Sequence, residues 1–167
     1  MKNFLLGLLG LLILALPQVA GAQNFTGTNA YAAKFLCGSA SGAESVVFGH
    51  YDTTINVLAT KSNQPIAYRA SATKNEIGVI NGSVSVYSAR SNLDRDQALG
   101  IVCGDIKTGL FGTSADGFIE GFVIVYSNGP LLVTDVLTGE SGPGLSTMQI
   151  YQVNERVVTG VTVKPGH

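Results

Sequence analysis

The chain has 167 residues, with 10 basic and 11 acidic side chains and a formal net charge of −1. This length suits one ordinary domain with a hydrophobic core. The near-neutral charge excludes the basic surface that binding to nucleic acid or to an anionic membrane requires, so we expect neither partner. Charged residues make up only 13% of the chain while glycine contributes 21 residues, a composition common among exported all-β proteins.

The N-terminus has the pattern of a secretory signal peptide. Lys2 precedes an unbroken apolar run from Phe4 to Leu16, and the small residues Ala20–Ala22 follow it. We expect cleavage after this triplet, so that residues 1–22 are removed and residues 23–30 form a flexible lead-in. The apolar run is too short to span a bilayer comfortably, and we expect no permanent membrane span after cleavage; an uncleaved anchor is the alternative. The predicted location is secreted, either extracellular or periplasmic.

From residue 31 onward, short apolar runs alternate with turn-forming residues, and no convincing helix is visible. Runs of this kind are typical of a sandwich or barrel rather than of alternating strand–helix units. We predict an all-β fold, an antiparallel β-sandwich of the Ig-like or jelly-roll-like kind, with residues 31–167 as a single domain. The predicted strands are YAAKFLC (31–37), SVVFGHY (45–51), TTINVLAT (53–60), IAYRASAT (66–73), EIGVI (76–80), SVSVYSA (83–89), ALGIVCG (98–104), GFIEGFVIVYS (117–127), LLVTDVLTG (131–139), STMQIYQV (146–153) and RVVTGVTV (156–163).

Turn-forming residues predict three hairpins. Asn81-Gly82 supplies the two positive-φ residues of a type I′ turn. Ser127–Pro130 and Glu140–Gly144 would turn the three runs around them into an antiparallel meander. The first of those runs, 117–127, is apolar on both faces apart from Glu120, which favours a central strand covered on both sides.

Both cysteines lie in apolar, strand-like runs. Cys103 shares a strand face with Leu99 and Ile101, and Cys37 shares one with Phe35. In an exported chain with two cysteines, this pattern predicts one buried disulfide between packed strands. In the chain-entropy model, a disulfide closing a loop of this length stabilises the fold by about 4 kcal/mol. The alternative is a nucleophilic or redox-active thiol, but the sequence has no C-x-x-C motif.

His50 is the histidine with a candidate chemical role, since His167 is the last residue of the chain. Asp52 is close to it in sequence, so His50 could act as a general base oriented by a carboxylate. The G-x-S-x-G elbow of a nucleophilic serine is absent, and no second internal histidine is available for an ordinary zinc site. We therefore interpret Gly49–Asp52 as a bend before the next strand.

Asp94 and Asp96 form an acidic loop ahead of the Cys103 strand, and they are the weak calcium candidates of the sequence. Carboxylate oxygens suit Ca²⁺, but their spacing matches no established calcium loop. Solvated loop charges are the favoured interpretation, and we expect no cofactor. Asn24 and Asn81 head glycosylation sequons whose use the sequence leaves open.

Several motifs are shared with a known group of proteins: AKFLCG (33–38), YDTTINV (51–57), LDRDQALGIVCGDI (93–106), and GFVIVYS (121–127) with the strands after it. Their order resembles that of a poorly characterised family of exported bacterial proteins, in which AKFxCG, YxTxINV, an acidic-loop cysteine strand, GFVxIxS and DVxxVYT follow one another. The resemblance spans residues 31–153 and implies a secreted β-sandwich with no assigned activity. Ala59-Thr60 replaces the Asn-Pro that follows I-N-V in that family, so the turn there departs from the family pattern.

The sequence favours a secreted, non-catalytic structural or adhesive domain, a subunit of an extracellular filament or surface assembly. The segment 156–163 is β-prone and uncharged after its first residue, so it could add as a strand to a neighbouring copy through Val157, Val158, Val161 and Val163. Closing its own sandwich is the alternative. A cell-envelope ligand- or glycan-binding module is the second candidate function, and a secreted hydrolase is the least favoured. The expected partners are copies of the same chain or other extracellular proteins.

Overall fold

The computed structural model describes residues 25–41, 46–73, 88–112, 117–142 and 146–163. Within these ranges the chain forms nine strands and one short π-helix, and the predicted all-β fold is confirmed. The strands are β1 (Phe25–Ala40), β2 (Gly49–Ala59), β3 (Gln64–Ala72), β4 (Ser88–Leu93), β5 (Ala98–Val102), β6 (Ile119–Ser127), β7 (Leu131–Glu140), β8 (Ser146–Val153) and β9 (Glu155–Val163), and the π-helix is Asp105–Leu110.

The strands form two antiparallel layers that share β1. Sheet A has the order β4-β3-β6-β1-β9, and sheet B has the order β5-β2-β7-β8. The last residues of β1 leave sheet A and pair with the start of β2, Gly38 opposite Tyr51. One 16-residue strand therefore ties the two sheets together along the backbone.

Strict alternation of side chains places the hydrophobic core between the sheets. On β1 the odd-numbered residues from Tyr31 to Cys37 face inward, and on β2 Ile55 and Val57 do the same; all are buried. The π-helix closes one side of the core with Ile106 and Leu110. The main core cluster consists of Tyr31, Ala33, Phe35, Cys37, Ile55, Val57, Ala59, Ile66, Tyr68, Ala70, Ile101, Ile106, Leu110, Val123, Val125, Leu131 and Val133.

A buried acid lies where sheet B packs against β1. Asp135 on β7 is 3% exposed. Burial raises the pKa of its carboxyl group, and hydrogen bonds from the backbone amides of Lys34, Asp135 itself and Tyr151 offset part of that rise. Asp135 Oδ1 is buried without a hydrogen-bond partner among the described residues, so burying the charged form has a cost in desolvation.

Several predicted boundaries differ from the structure; the strand predicted at 98–104, for example, ends at Val102 and is followed by a helical turn and the π-helix. Residues 25–30, expected in a flexible lead-in, are the first part of β1, because they pair with β9 at the sheet edge. The bend expected at Gly49–Asp52 is absent, since these residues are continuous strand that pairs with β1 and β7.

The predicted meander is wrong at its first turn. β7 and β8 do form an antiparallel hairpin, but β6 and β7 lie in different sheets. β6 already has β1 on one side and β3 on the other, so neither edge is free for β7. The segment Ser127–Pro130 therefore crosses between the layers, and Gln64 Nε2 holds it by donating to Ser127 Oγ at 3.1 Å and to the Pro130 carbonyl at 2.9 Å.

The central position predicted for β6 is confirmed, but its outer face is not covered along its whole length. Val123 and Val125 lie in the main core, while on the outer face Tyr126 is buried and Phe122 is 41% exposed. The signal peptide, the Asn81-Gly82 turn, Asn24 and most of the run at 76–89 lie outside the described residues.

Candidate functional site

The two cysteines form the predicted disulfide. Cys37 on β1 and Cys103 after β5 are bonded, with their Cα atoms 5.5 Å apart, and no free thiol remains in the chain. Cys37 is fully buried, and the Thr53 amide lies 3.2 Å from Cys103 Sγ. The bond covalently joins sheet A to sheet B, so the cysteines have a structural role and not a nucleophilic one.

The acidic loop that contains Asp94 and Asp96 is held by hydrogen bonds that involve backbone groups. Asp94 Oδ1 accepts a hydrogen bond from the Asn63 amide at 3.0 Å, and the Asp94 amide donates to Gln97 Oε1 at 2.9 Å. Asp96 adopts a positive φ of 64° in the turn, and its amide donates to the Ala59 carbonyl. In the part of the chain that the structure describes, no cluster of three or more histidine, cysteine or acidic side chains could hold a metal ion.

Three polar residues form a row across three strands. Ser39 on β1 lies opposite His50 on β2, which lies opposite Glu140 on β7. Ser39 Oγ and His50 Nδ1 are 3.1 Å apart, and all three residues are exposed at an open pocket of about 260 Å³ that Phe48 also lines. Sequence reasoning missed Ser39 and Glu140, because only the strand register brings them to His50.

Chemically, this row contains a hydroxyl, an imidazole and a carboxylate, but it differs from an activated nucleophile. A catalytic base is normally oriented by a buried hydrogen bond to a third group, in a site that excludes water. Here the described contact of the imidazole is with Ser39, while Asp52 Oδ1 accepts from the Thr53 amide. The row is therefore better suited to hydrogen-bonding a ligand than to covalent catalysis.

The outer face of sheet B presents several exposed apolar side chains, and its charged residues Asp52 and Glu140 lie toward one end. Val102, Leu132, Met148 and Ile150 all point to this face and are 42–65% exposed. The rows through Thr54, Asn56 and Leu58 contain no charged residue, whereas Met148 lies in the next row, which also contains Asp52. Exposed apolar surface concentrated on one face is typical of an interaction site.

That face ends at an open sheet edge. β8 pairs with β7 on one side and has no strand on the other within the described residues. Seven of its eight residues, Ser146–Gln152, are exposed, and the strand contains neither a charged residue nor proline. Natural edge strands are usually blunted by lysine, proline or a bulge, so an edge of this kind is an available template for another strand.

The C-terminal segment is a strand, as predicted, and it pairs with β1 of its own chain. Phe25 lies opposite Val163 and Tyr31 lies opposite Glu155. Val157 is 83% exposed, whereas Val158 and Val161 pack partly against the small cluster of Ala30, Ala67 and Tyr126. The side chain of Val163, also part of the predicted strand-donating segment, lies outside the described part of the structure.

Glu155 anchors the start of β9, a role that no sequence pattern indicates. Its Oε1 accepts from Asn29 Nδ2 at 2.6 Å, and its Oε2 accepts from the Tyr31 hydroxyl at 3.1 Å. The same hydroxyl accepts from the Leu131 amide of β7 at 2.7 Å. Burial raises the pKa of Tyr31; the Leu131 amide lowers it, and Glu155 raises it further. This contact, which we call the Glu155 anchor, links β9 to both sheets.

No known protein family and no curated protein matches the chain in sequence. Among solved structures, the crystal structure of Thermotoga maritima 1070 is similar over 77% of this chain and 94% of its own length, with a TM-score of 0.42 and 8% sequence identity. That degree of similarity carries no statement about function. No helix within the described ranges is long and apolar enough to cross a membrane.

Proposed function

We propose that this protein is an exported, non-catalytic structural or adhesive domain that associates with other chains by strand pairing at β8. The observation that carries the proposal is the unblunted edge of β8 next to the exposed apolar side chains on the outer face of sheet B. Strand addition supplies backbone hydrogen bonds to such an edge, and exposed side chains such as Met148 and Ile150 supply apolar contacts.

Export is supported by two independent features. The first 22 residues have the pattern of a signal peptide. The Cys37–Cys103 disulfide is of the kind that persists in oxidising compartments such as the extracellular space and the periplasm. In an assembly outside the cytoplasm, the open edge of β8 would allow association and the disulfide would stabilise the fold.

The assembly proposal is tested with the mature protein, residues 23–167. We expect light scattering and electron microscopy to show oligomers or filaments, and Ile150→Lys to reduce them because a lysine on an edge strand opposes pairing. Ser62→Lys is the matched control, since Ser62 is an exposed loop residue away from β8. A monomer at all concentrations, or equal effects of the two lysines, would count against the proposal.

The pocket at Ser39 and His50 favours a second candidate, a glycan-binding module. A hydroxyl, an imidazole and a carboxylate lie beside Phe48, whose ring is 67% exposed, and glycan sites combine hydrogen-bonding groups with an aromatic face. A glycan panel read by thermal shift is the test. Binding that Phe48→Ala abolishes and Val47→Ala preserves would support this function, and the absence of any shift would remove it.

A further inference from the structure

The connection between β8 and β9 is a single residue. β8 ends at Val153, β9 begins at Glu155, and Asn154 alone separates them. β8 pairs with β7 in sheet B, whereas β9 pairs with β1 in sheet A. The chain therefore changes layers within one residue, which is the short hinge that favours exchange of a terminal element between copies.

β9 can leave without opening the core. None of its described side chains belongs to the main core cluster. Its attachment consists of backbone pairing with β1, the partial packing of Val158 and Val161, and the Glu155 anchor. Terminal strands with so few buried apolar contacts open at a lower free energy than the rest of a domain.

The segment of β1 that β9 covers forms both backbone and side-chain hydrogen bonds with β9. Without β9, residues 25–31 of β1 would expose an unpaired edge, and Asn29 Nδ2 and the Tyr31 hydroxyl would lose their carboxylate acceptor. With β9 in place, Asn29 is 9% exposed and Tyr31 is 1% exposed; without it, the Tyr31 hydroxyl would keep the Leu131 amide as donor but lose its acceptor. An extended strand with a carboxylate at its first position restores the lost bonds, and β9 of a second copy has both features.

We propose that β9 is exchanged between copies: with Asn154 extended, β8 and β9 form one continuous strand whose second half pairs with β1 of a neighbouring chain, where Glu155 binds Asn29 and Tyr31 of that neighbour. Eighteen residues in extended conformation, 146–163, span about 60 Å, which is enough to reach an adjacent domain. Repetition of the exchange gives an open, head-to-tail chain of copies. This inference rests on the assembly proposed above and names its partner, a second copy of the same chain.

Engineered cysteines test the exchange. Thr26 and Thr162 are exposed register partners on β1 and β9, so cysteines at these two positions can bond only where β9 lies on β1. Mature Thr26→Cys and Thr162→Cys proteins are unfolded, mixed, refolded and oxidised, and the links are mapped by mass spectrometry. We expect a covalent dimer that contains a 26–162 link between copies, and none from Thr26→Cys mixed with Ser62→Cys.

Two further variants separate the outcomes. In the double variant Thr26→Cys/Thr162→Cys, an internal link in a monomer, together with no link between copies in the mixture, would overturn the exchange. Insertion of Gly-Ser-Gly after Asn154 should raise the internal share at the expense of the link between copies, because a longer connection lets β9 close on its own chain. Oligomers without any 26–162 link between copies would refute the exchange while leaving assembly through β8 intact; absence of oligomers would refute both.

Discussion

Thr53 on β2 and Leu36 on β1 are joined by two hydrogen bonds between the sheets. The Leu36 amide donates to Thr53 Oγ1 at 2.9 Å, and the same hydroxyl donates to the Leu36 carbonyl, also at 2.9 Å. Thr53 is 1% exposed, so water cannot replace it. The Thr53 hydroxyl thus satisfies both the backbone amide and the backbone carbonyl of Leu36.

Thr53→Val should therefore destabilise the fold by about 1–3 kcal/mol, because it leaves the partly buried amide and carbonyl of Leu36 without the hydroxyl that pairs with them. Urea denaturation of the mature protein measures the change. Thr54→Val is the matched control, because Thr54 is the next residue on β2 and faces the outer side between Val102 and Val136. Its effect should stay within about 0.5 kcal/mol, and equal losses in the two variants would contradict the assigned role of Thr53.

Loss of the disulfide should lower the free energy of unfolding by about 4 kcal/mol, since the bond closes a loop with a sequence separation of 66. The measurement is urea denaturation with and without reductant. Cys37→Ala/Cys103→Ala is the control, because its stability should not respond to reductant at all. Two free thiols in the non-reduced mature protein would show that the bond does not form.

Tyr31 should make the protein sensitive to alkali. Its pKa is raised in the folded state, chiefly by burial, so the folded protein holds the phenol proton more tightly than the unfolded chain does. The stability from this group is complete below the unfolded pKa, about 10, and is lost as pH rises through the folded pKa. In Tyr31→Phe that alkaline loss should shrink, while stability at neutral pH falls by about 1–3 kcal/mol because the Leu131 amide loses its acceptor.

Denaturation midpoints between pH 8 and 11 provide the readout for Tyr31. Tyr151→Phe is a suitable control, since Tyr151 is an exposed tyrosine on β8. An unchanged alkaline slope in Tyr31→Phe would mean that other groups cause the loss.

The pH dependence of stability caused by Asp135 should be opposite in sign to that of a typical carboxylate. Burial raises its folded-state pKa, so the folded state binds its proton more tightly than the unfolded chain. Its contribution is complete below the unfolded pKa, about 4, and is lost as pH rises through the folded pKa. Asp135→Asn keeps one oxygen acceptor, can place its amide nitrogen where Oδ1 has no partner, and removes the ionisation, so it should flatten this part of the stability profile and be at least as stable as the natural chain at pH 7. A less stable variant at pH 7 with the same acid profile would refute this assignment.

Patterns within a single strand correctly predicted features that depend on that strand alone, such as which side chains face the core. Alternation along the strands identified the inward faces of Phe35, Cys37 and Ile101, because side-chain direction in a strand depends only on parity. Cys103 is predicted on the same strand face as Ile101, but it lies past the end of β5 in a helical turn, from which it still bonds to Cys37. The turn residues at Ser127–Pro130 misled, because a hairpin also needs a free edge and β6 has none. Whether β6 has a free edge depends on its pairing with β1 and β3, which are distant from it in sequence.

The candidate sites were less accessible to prediction. Ser39, His50 and Glu140 come together only through the register of β1, β2 and β7, which no short stretch of sequence encodes. Glu155 precedes a valine-rich strand and reads as an ordinary solvated charge until its partners on β1 are known. Hydrogen-bond partners more than a hundred residues apart leave no local pattern.

The positions of the strand ends and of the disulfide determine how the domain would respond to mechanical tension. Phe25 and Val163 are opposite each other at the same end of the β1–β9 pair, so a pull between them loads these pairs one at a time rather than all at once. β9 would peel away first. Further extension along β1 would reach Cys37, where the load passes through the disulfide to Cys103 and bypasses residues 38–102. Strands β2 to β5 would then carry no tension along their backbone, and the disulfide would act as a mechanical stop.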